Sequence, residues 1–130
     1  MPTEISNGNE SNCYTVLFRG GKREVIKNTA CTPEYILFDS ELCSAFLSLN
    51  SKISYIGAMC RCISVILNIN ADEEQILTTL SVLETLLSLT TRYLRGEKET
   101  YHSVLNNVYL ASKADADLSN SAISCMVKAL

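Results

Sequence analysis

The chain has 130 residues, of which 47% are hydrophobic and 19% are charged, and its formal net charge is −3. This length and hydrophobic content predict one domain with a core of its own. The weak negative charge excludes a general electrostatic attraction to nucleic acids or anionic membranes.

The N-terminal segment is polar and has neither the basic start nor the apolar stretch of a signal peptide. We therefore predict a disordered tail over residues 1–12 and a single helical domain over residues 13–130, in a cytoplasmic protein. In a reducing compartment cysteines are expected to be free thiols rather than disulfides. This expectation covers Cys13, Cys31, Cys43, Cys60, Cys62 and Cys125.

Residues 14–18 and 23–27 are rich in β-branched and aromatic residues, and they flank the sequence Arg-Gly-Gly-Lys. Two consecutive glycines supply the positive φ that a tight hairpin turn requires. This pattern predicts a β-hairpin, which is marginal in water by itself and is expected to pack on helices or on another strand.

The tip of this hairpin is basic, because only Glu24 opposes the cations Arg19, Lys22, Arg23 and Lys27. We favour a solvated turn that protects the sheet edges, since charged residues serve this purpose in many sheets. An acidic protein partner is the next interpretation. Nucleic acid is the least favoured, because Arg-Gly-Gly-Lys lacks the spacing and the following helix of a phosphate-binding loop.

The next segment supports two interpretations. Thr32-Pro33-Glu34 resembles a helix start, with an N-cap, a proline at the first position and an acid in the first turn. It favours a helix over residues 33–49. The alternative is a strand over residues 35–38 with the helix beginning at Ser40.

A second helix is predicted over residues 52–68, capped by Asn50 or Ser51. Its polar and small positions form one narrow stripe, and nearly every other position is apolar, so this helix is expected to be central in a bundle with the stripe facing water. The stripe comprises Ser54, Gly57, Arg61, Ser64 and Asn68. The apolar run 53–69 contains Arg61 and is too short to span a membrane.

A third helix is predicted over residues 71–95, with Asn70 and Glu73 as a capping box and Gly96 as its stop. Its apolar residues form two adjacent stripes, opposite a polar face. These stripes either pack in the core or meet the same helix in a second chain. The interface interpretation selects Val82, Leu86, Leu89 and Tyr93.

The C-terminal part predicts a helix over residues 98–112 and a last helix that begins at Asp115 or Asp117 and ends near Lys128, unless the two form one continuous helix. The predicted fold is thus α+β and helix-dominated, with an N-terminal β-hairpin packed on a bundle of four to five α-helices.

No motif in the sequence indicates catalysis, a cofactor or a metal site. Cys60 and Cys62 are two residues apart, so on a helix they point about 200° apart and cannot bind one ion. We expect both to pack in the core, with Arg61 extending to solvent. His102 is the only histidine, and nothing in the nearby sequence indicates an activated nucleophile.

These features favour a non-enzymatic protein–protein interaction module, a small cytosolic adaptor or regulator that acts through helix faces. The lack of familiar motifs suits a viral or lineage-specific accessory protein. The expected partner is another protein of unknown identity, and homodimerisation stays open. The alternative is a nucleic-acid-binding protein that uses the hairpin tip, and the third hypothesis is a thiol-dependent enzyme.

Overall fold

The computed structural model describes residues 5, 14–44 and 48–118. An antiparallel hairpin of β1 (Tyr14–Arg19) and β2 (Lys22–Lys27) comes first and is followed by a 3-10 turn at Thr29–Cys31. The helices are α1 (Ser40–Ser44), α2 (Leu49–Ile66), α3 (Glu73–Leu94) and α4 (Tyr101–Asp117), and a 3-10 turn at Lys98–Thr100 precedes α4. The predicted class is confirmed: the fold is helix-dominated with an N-terminal hairpin.

The hairpin forms where its sequence predicts. Gly20 and Gly21 have φ angles of 55° and 76°, which is the positive φ at both central positions of a type I′ turn. The turn pairs Arg19 with Lys22, and each strand is one residue longer than predicted. The larger apolar side chains of the hairpin are exposed to solvent, namely Leu17, Phe18, Val25 and Ile26.

The first helix begins at Ser40, so the favoured prediction of a helix from residue 33 is wrong. The Oδ1 atom of Asp39 accepts hydrogen bonds from the backbone N–H groups of Glu41 and Leu42, at 3.0 Å each. The side chain that caps this helix is therefore Asp39, seven residues after the predicted cap Thr32. The alternative start at Ser40 is right, but its strand is not, because residues 35–39 are neither helix nor strand.

Helix α2 begins three residues earlier than predicted. Its N-cap is Ser48, whose Oγ atom accepts a hydrogen bond from the backbone N–H of Ser51 at 3.0 Å. Neither Asn50 nor Ser51 is the cap, because both lie in the first turn. Two serines and an asparagine within four positions compete for one cap, and the sequence alone does not rank them.

The predicted orientation of α2 is also wrong. Ser54 and Ser64 are 6% and 4% exposed, and Arg61 is half-buried, so most of the predicted wet stripe faces the protein interior. Ala58 is fully buried between them. Small side chains let α3 and α4 approach this side of α2 closely. Tyr55 and Val65 are buried as well, whereas the large apolar residues Ile53, Ile56 and Ile63 are exposed.

Helix α3 spans about 33 Å at 1.5 Å per residue. Its capping box consists of Asp72 and Gln75 rather than Asn70 and Glu73: Asp72 Oδ1 accepts from the Gln75 N–H at 2.8 Å, and Gln75 Oε1 accepts from the Asp72 N–H at 3.2 Å. Gly96, with φ 82°, follows the last turn as predicted.

The core lies between α2, α3 and α4, which pack against one another in pairs. Three tyrosine rings form its centre: Tyr55 lies 4.6 Å from Tyr93, and Tyr93 lies 5.4 Å from Tyr101, measured between ring centroids. Ile5 is also buried in this core. Of the predicted tail over residues 1–12, only Ile5 belongs to the described residues.

Helix α4 continues through Asp115 to Asp117, so Asp115 does not begin a new helix. The rest of the predicted last helix, residues 119–128, lies outside the described residues, as does the remainder of the predicted tail over residues 1–12.

Candidate interaction surface on α2 and α3

The basic hairpin tip divides its cations between two faces. Because side chains alternate along a strand, the cross-strand pair Arg19–Lys22 lies on one face and the next pair, Phe18–Arg23, lies on the other. All four of these residues are exposed. Lys27 lies in β2 at a position that shares the face of Arg23, and its side chain is outside the described part of the structure. Among the described side chains of the tip, Arg19 and Lys22 therefore share one face and Arg23 lies on the other.

The residues predicted as an interface belong to the core of their own chain. Val82, Leu86 and Tyr93 are 6%, 0% and 0% exposed, and the partly buried Leu89 packs against them. The hydroxyl of Tyr55 donates a hydrogen bond to the carbonyl oxygen of Leu86, which ties α2 to this side of α3. In the structure this stripe therefore packs in the core of its own chain, as one of the two interpretations expects.

A different apolar surface is open. Helix α2 and its C-cap residue Leu67 carry six uncharged residues at alternating intervals of four and three, and all six are exposed. We call this set the α2 stripe, and it consists of Leu49, Ile53, Ile56, Cys60, Ile63 and Leu67. Leu49 and Leu67, at its two ends, are 72% and 67% exposed. Intervals of four and three keep residues on one side of a helix, so the stripe is continuous over the whole length of α2.

Helix α3 adds a second row of exposed apolar residues. We call them the α3 leucines, and they are Leu77, Leu80, Leu87 and Leu94. Glu84 and Thr91 continue the same spacing and are exposed as well. This row is less apolar than the α2 stripe, and it contains one negative charge at its middle.

Both rows lie on the same side of the α2–α3 pair. On α2, Tyr55 points to α3, whereas Arg61 points to α4, where its Nη1 donates to Ser112 Oγ at 3.2 Å. At 100° per residue, the α2 stripe lies about 80–160° round from Tyr55, in the direction away from Arg61. The stripe therefore lies beside α3 and away from α4.

The same construction places the α3 leucines. Helix α4 approaches α3 on the side of Thr78 and Val82, which line a cleft together with Leu110 of α4. Leu80 and Leu87 lie about 100–120° from Leu86 in the opposite direction. The α2 stripe and the α3 leucines thus form one surface, which we call the α2–α3 face.

A cleft lies between α3 and α4. It has a volume of about 410 Å³ and is lined by Asp72, Glu74, Gln75, Thr78, Thr79, Val82, Leu110, Ala111, Lys113, Ala114 and Asp117. Thr79 Oγ1 is buried, and it has no hydrogen-bond partner among the described residues. The cleft lies where α4 ends and the chain passes out of the described part.

The two central cysteines are in opposite surroundings. Cys62 is fully buried, and burial raises the pKa of its thiol to about 11. Cys60 is exposed in the α2 stripe, which corrects the prediction that both pack in the core. A raised pKa is the reverse of what an activated thiol needs. Within residues 14–44 and 48–118, Cys31 and Cys43 are thiols as well, and His102 is exposed.

Within the described part of the chain, no group of His, Cys, Asp and Glu side chains is arranged to hold a metal ion. Of the helices in that part, none combines the length and the apolar character that crossing a bilayer requires.

Comparisons with known proteins add no relative. The sequence matches no family model, and searches of curated proteins and of solved structures gave no match.

The spacing of the α2 stripe can be found in the sequence, but the sequence does not show whether that face of the helix is buried or exposed. The four-three spacing of the stripe is visible in residues 49–67, and such spacing is shared by buried and exposed apolar faces. The side of α2 that enters the core depends on how closely α3 and α4 approach. Ser54, Ala58 and Ser64 permit that approach, whereas isoleucines would not.

Proposed function

We propose that this protein is a non-enzymatic interaction module, a small adaptor or regulator that binds another protein through the α2–α3 face. The observation that carries this proposal is the α2 stripe: uncharged side chains, mainly isoleucine and leucine, are exposed in an unbroken row along an entire helix. Monomeric proteins rarely expose contiguous apolar surface beyond a few hundred Å², and larger patches are typical of binding sites.

The shape and chemistry of the face support an α-helix as its partner. A row at intervals of four and three suits an α-helix with the same spacing, whose apolar residues fit between those of the stripe. The stripe has no charge to pair with, so binding gains its free energy from apolar burial. Glu84 lies beside the stripe on α3 and provides a polar rim.

A photo-crosslinking experiment tests the proposal. A photoreactive benzoylphenylalanine replaces Ile63 in the α2 stripe, and in the control it replaces Ile69, which is 96% exposed in the α2–α3 loop and outside the stripe. In cells that express the protein, position 63 should give discrete adducts of defined mass, and position 69 should not. Identical patterns from the two positions, or no adduct at position 63, would contradict the proposal.

Nucleic-acid binding through the hairpin is the second candidate, and one observation favours it. Phe18 is 77% exposed and shares a strand face with Arg23, so an aromatic ring and a cation are presented together. Exposed aromatic rings next to basic residues are typical of single-strand binding, in which bases stack on the ring. Under this proposal, affinity for single-stranded RNA falls steeply with salt, and Phe18→Ala weakens it at every salt concentration. An absent or salt-independent shift in gel mobility would remove it.

A further inference from the structure

The occupant of the α2–α3 face follows from the symmetry of the α2 stripe. We propose that it is a second copy of this chain, with the two α2 helices antiparallel across a two-fold axis at the level of residue 58. This inference rests on the proposed function, because it names the partner of the same face.

The spacing of the stripe is the same in both directions along the helix. From Leu49 to Leu67 the intervals are four, three, four, three and four, which is a palindrome. An antiparallel copy of α2 therefore presents the same spacing to the original, and every stripe residue meets another stripe residue. These opposite pairs are Leu49 with Leu67, Ile53 with Ile63, and Ile56 with Cys60.

A two-fold interface must be self-complementary, because the same patch faces itself. The α2 stripe satisfies this condition, since it carries no charge that would meet a like charge in the partner. The smallest stripe residue, Cys60, lies opposite the branched Ile56, so a large and a small side chain alternate near the axis. The alternation lets the helices approach closely at that point.

The exposed area is sufficient. The α2 stripe without Cys60, taken together with the α3 leucines, exposes the equivalent of about five whole leucine or isoleucine residues. This corresponds to roughly 800 Å², which is the area that each partner contributes to a stable interface of standard size. One pair of helices alone would bury less, so we place the α3 leucines at the flanks of the interface.

Charge pairing at positions 53 and 63 tests the register. Either Ile53→Glu or Ile63→Lys introduces a charge into the interface and should raise the dimer dissociation constant about 100-fold. In the double variant, the new glutamate of one copy faces the new lysine of the other at two symmetric places. The double variant should therefore recover about tenfold in affinity relative to either single variant.

Two controls isolate the face and the register. Ile69→Glu makes the same substitution at an exposed isoleucine outside the stripe and should leave dimerisation unchanged. The combination of Ile53→Glu with Leu67→Lys carries the same charges, but the proposed register does not place them opposite each other, so it should show no recovery. Sedimentation equilibrium from about 1 to 100 µM measures association, and circular dichroism shows that each variant is folded.

If a variant is unfolded, crosslinking of the unaltered stripe provides the test. In a protein with Cys13, Cys31 and Cys125 changed to Ser, a bismaleimide with a span of about 10 Å should join the two Cys60 thiols of a dimer. The expected separation combines four residues of helix rise with an interhelical distance of about 8–10 Å. Adding Cys60→Ser should abolish the product.

Several results would overturn the inference. A protein that is monomeric at 100 µM but gives face-specific crosslinks to a different protein refutes the second copy and leaves the proposed function intact. A dimer insensitive to Ile53→Glu uses another surface. A monomer that binds neutral phosphatidylcholine vesicles, and loses this binding in Ile53→Glu, shows that the face serves a lipid surface instead.

Discussion

Helices α2 and α3 lie side by side, and they differ in the residues that they bury. Helix α3 buries large side chains such as Leu86 and Tyr93 and exposes a polar face on the far side. Helix α2 buries the small residues Ser54, Ala58 and Ser64 around Tyr55 and Val65, and it exposes Ile53, Ile56 and Ile63. In this domain, the buried side of a helix is the side that lets neighbours come close, and for α2 that is not the more hydrophobic side.

The largest test of this comparison removes equal apolar volume from each helix. Leu86→Ala in α3 deletes a fully buried side chain and should lower the free energy of unfolding by about 2–5 kcal/mol. Ile53→Ala in α2 removes a side chain that is 58% exposed and should cost less than about 0.5 kcal/mol in protein dilute enough to be monomeric. Urea denaturation monitored by circular dichroism measures both.

The dependence of stability on protein concentration further distinguishes Leu86→Ala from Ile53→Ala. If the α2 stripe meets a second copy, the loss from Ile53→Ala should grow as the protein is concentrated, because association stabilises the folded state. The loss from Leu86→Ala should be present at every concentration. Equal losses in dilute protein would mean that the α2 stripe is buried within the chain, which would break the comparison.

The two cysteines of α2 probe its two sides within one helix. With its pKa raised to about 11 by burial, Cys62 has, at pH 8, about a hundredth of the thiolate of an ordinary thiol. Exposed Cys60 should therefore react with iodoacetamide at least about 100-fold faster, and Cys62 should react mainly when the chain unfolds. Peptide mapping after timed labelling measures the rate at each cysteine. Equal rates at Cys60 and Cys62 would show that α2 has no buried side near these residues.

Overpacking the small side of α2 gives an intermediate effect. The sequence placed Ser54 on a wet stripe, where a leucine would be harmless, whereas the structure leaves this residue 6% exposed. Ser54→Leu should therefore lower the free energy of unfolding by about 1–3 kcal/mol, because the added carbons displace α3 or α4. Asn50→Leu, on the exposed part of the same helix, is the control and should be near neutral. Thermal unfolding of the two variants compares them directly.

The sequence predicted local structure correctly at positions where the backbone conformation allows only one residue type. Paired glycines at 20 and 21 fixed the hairpin turn, and Gly96 fixed the end of α3, since positive φ at these positions excludes most other residues. The polar face of α3 was also right, because Ser81, Ser88 and Arg92 are all exposed.

The sequence failed where several residues could fill one role or where a neighbour decided the outcome. Serine and alanine are compatible with either side of a helix, so the orientation of α2 depended on packing that no local pattern encodes. The candidate site followed the same rule. We predicted an interface at Val82, Leu86 and Tyr93 because they form a continuous apolar stripe. Because the stripe is apolar, it is buried in the core of the same chain.

The smallest expected effect concerns the caps, where α2 and α3 were misread in the same way. Asp72 both accepts from and donates to Gln75, so Asp72→Ala removes one bond of the capping box and should lower the free energy of unfolding by about 1 kcal/mol. Asn70→Ala alters the cap that the sequence predicted and should change the free energy of unfolding by less than about 0.5 kcal/mol. The reason is that Asn70 lies two residues before the actual N-cap, Asp72. Chemical denaturation of both variants side by side resolves the difference. A larger loss for Asn70→Ala would mean that α3 begins two residues earlier, at the predicted cap.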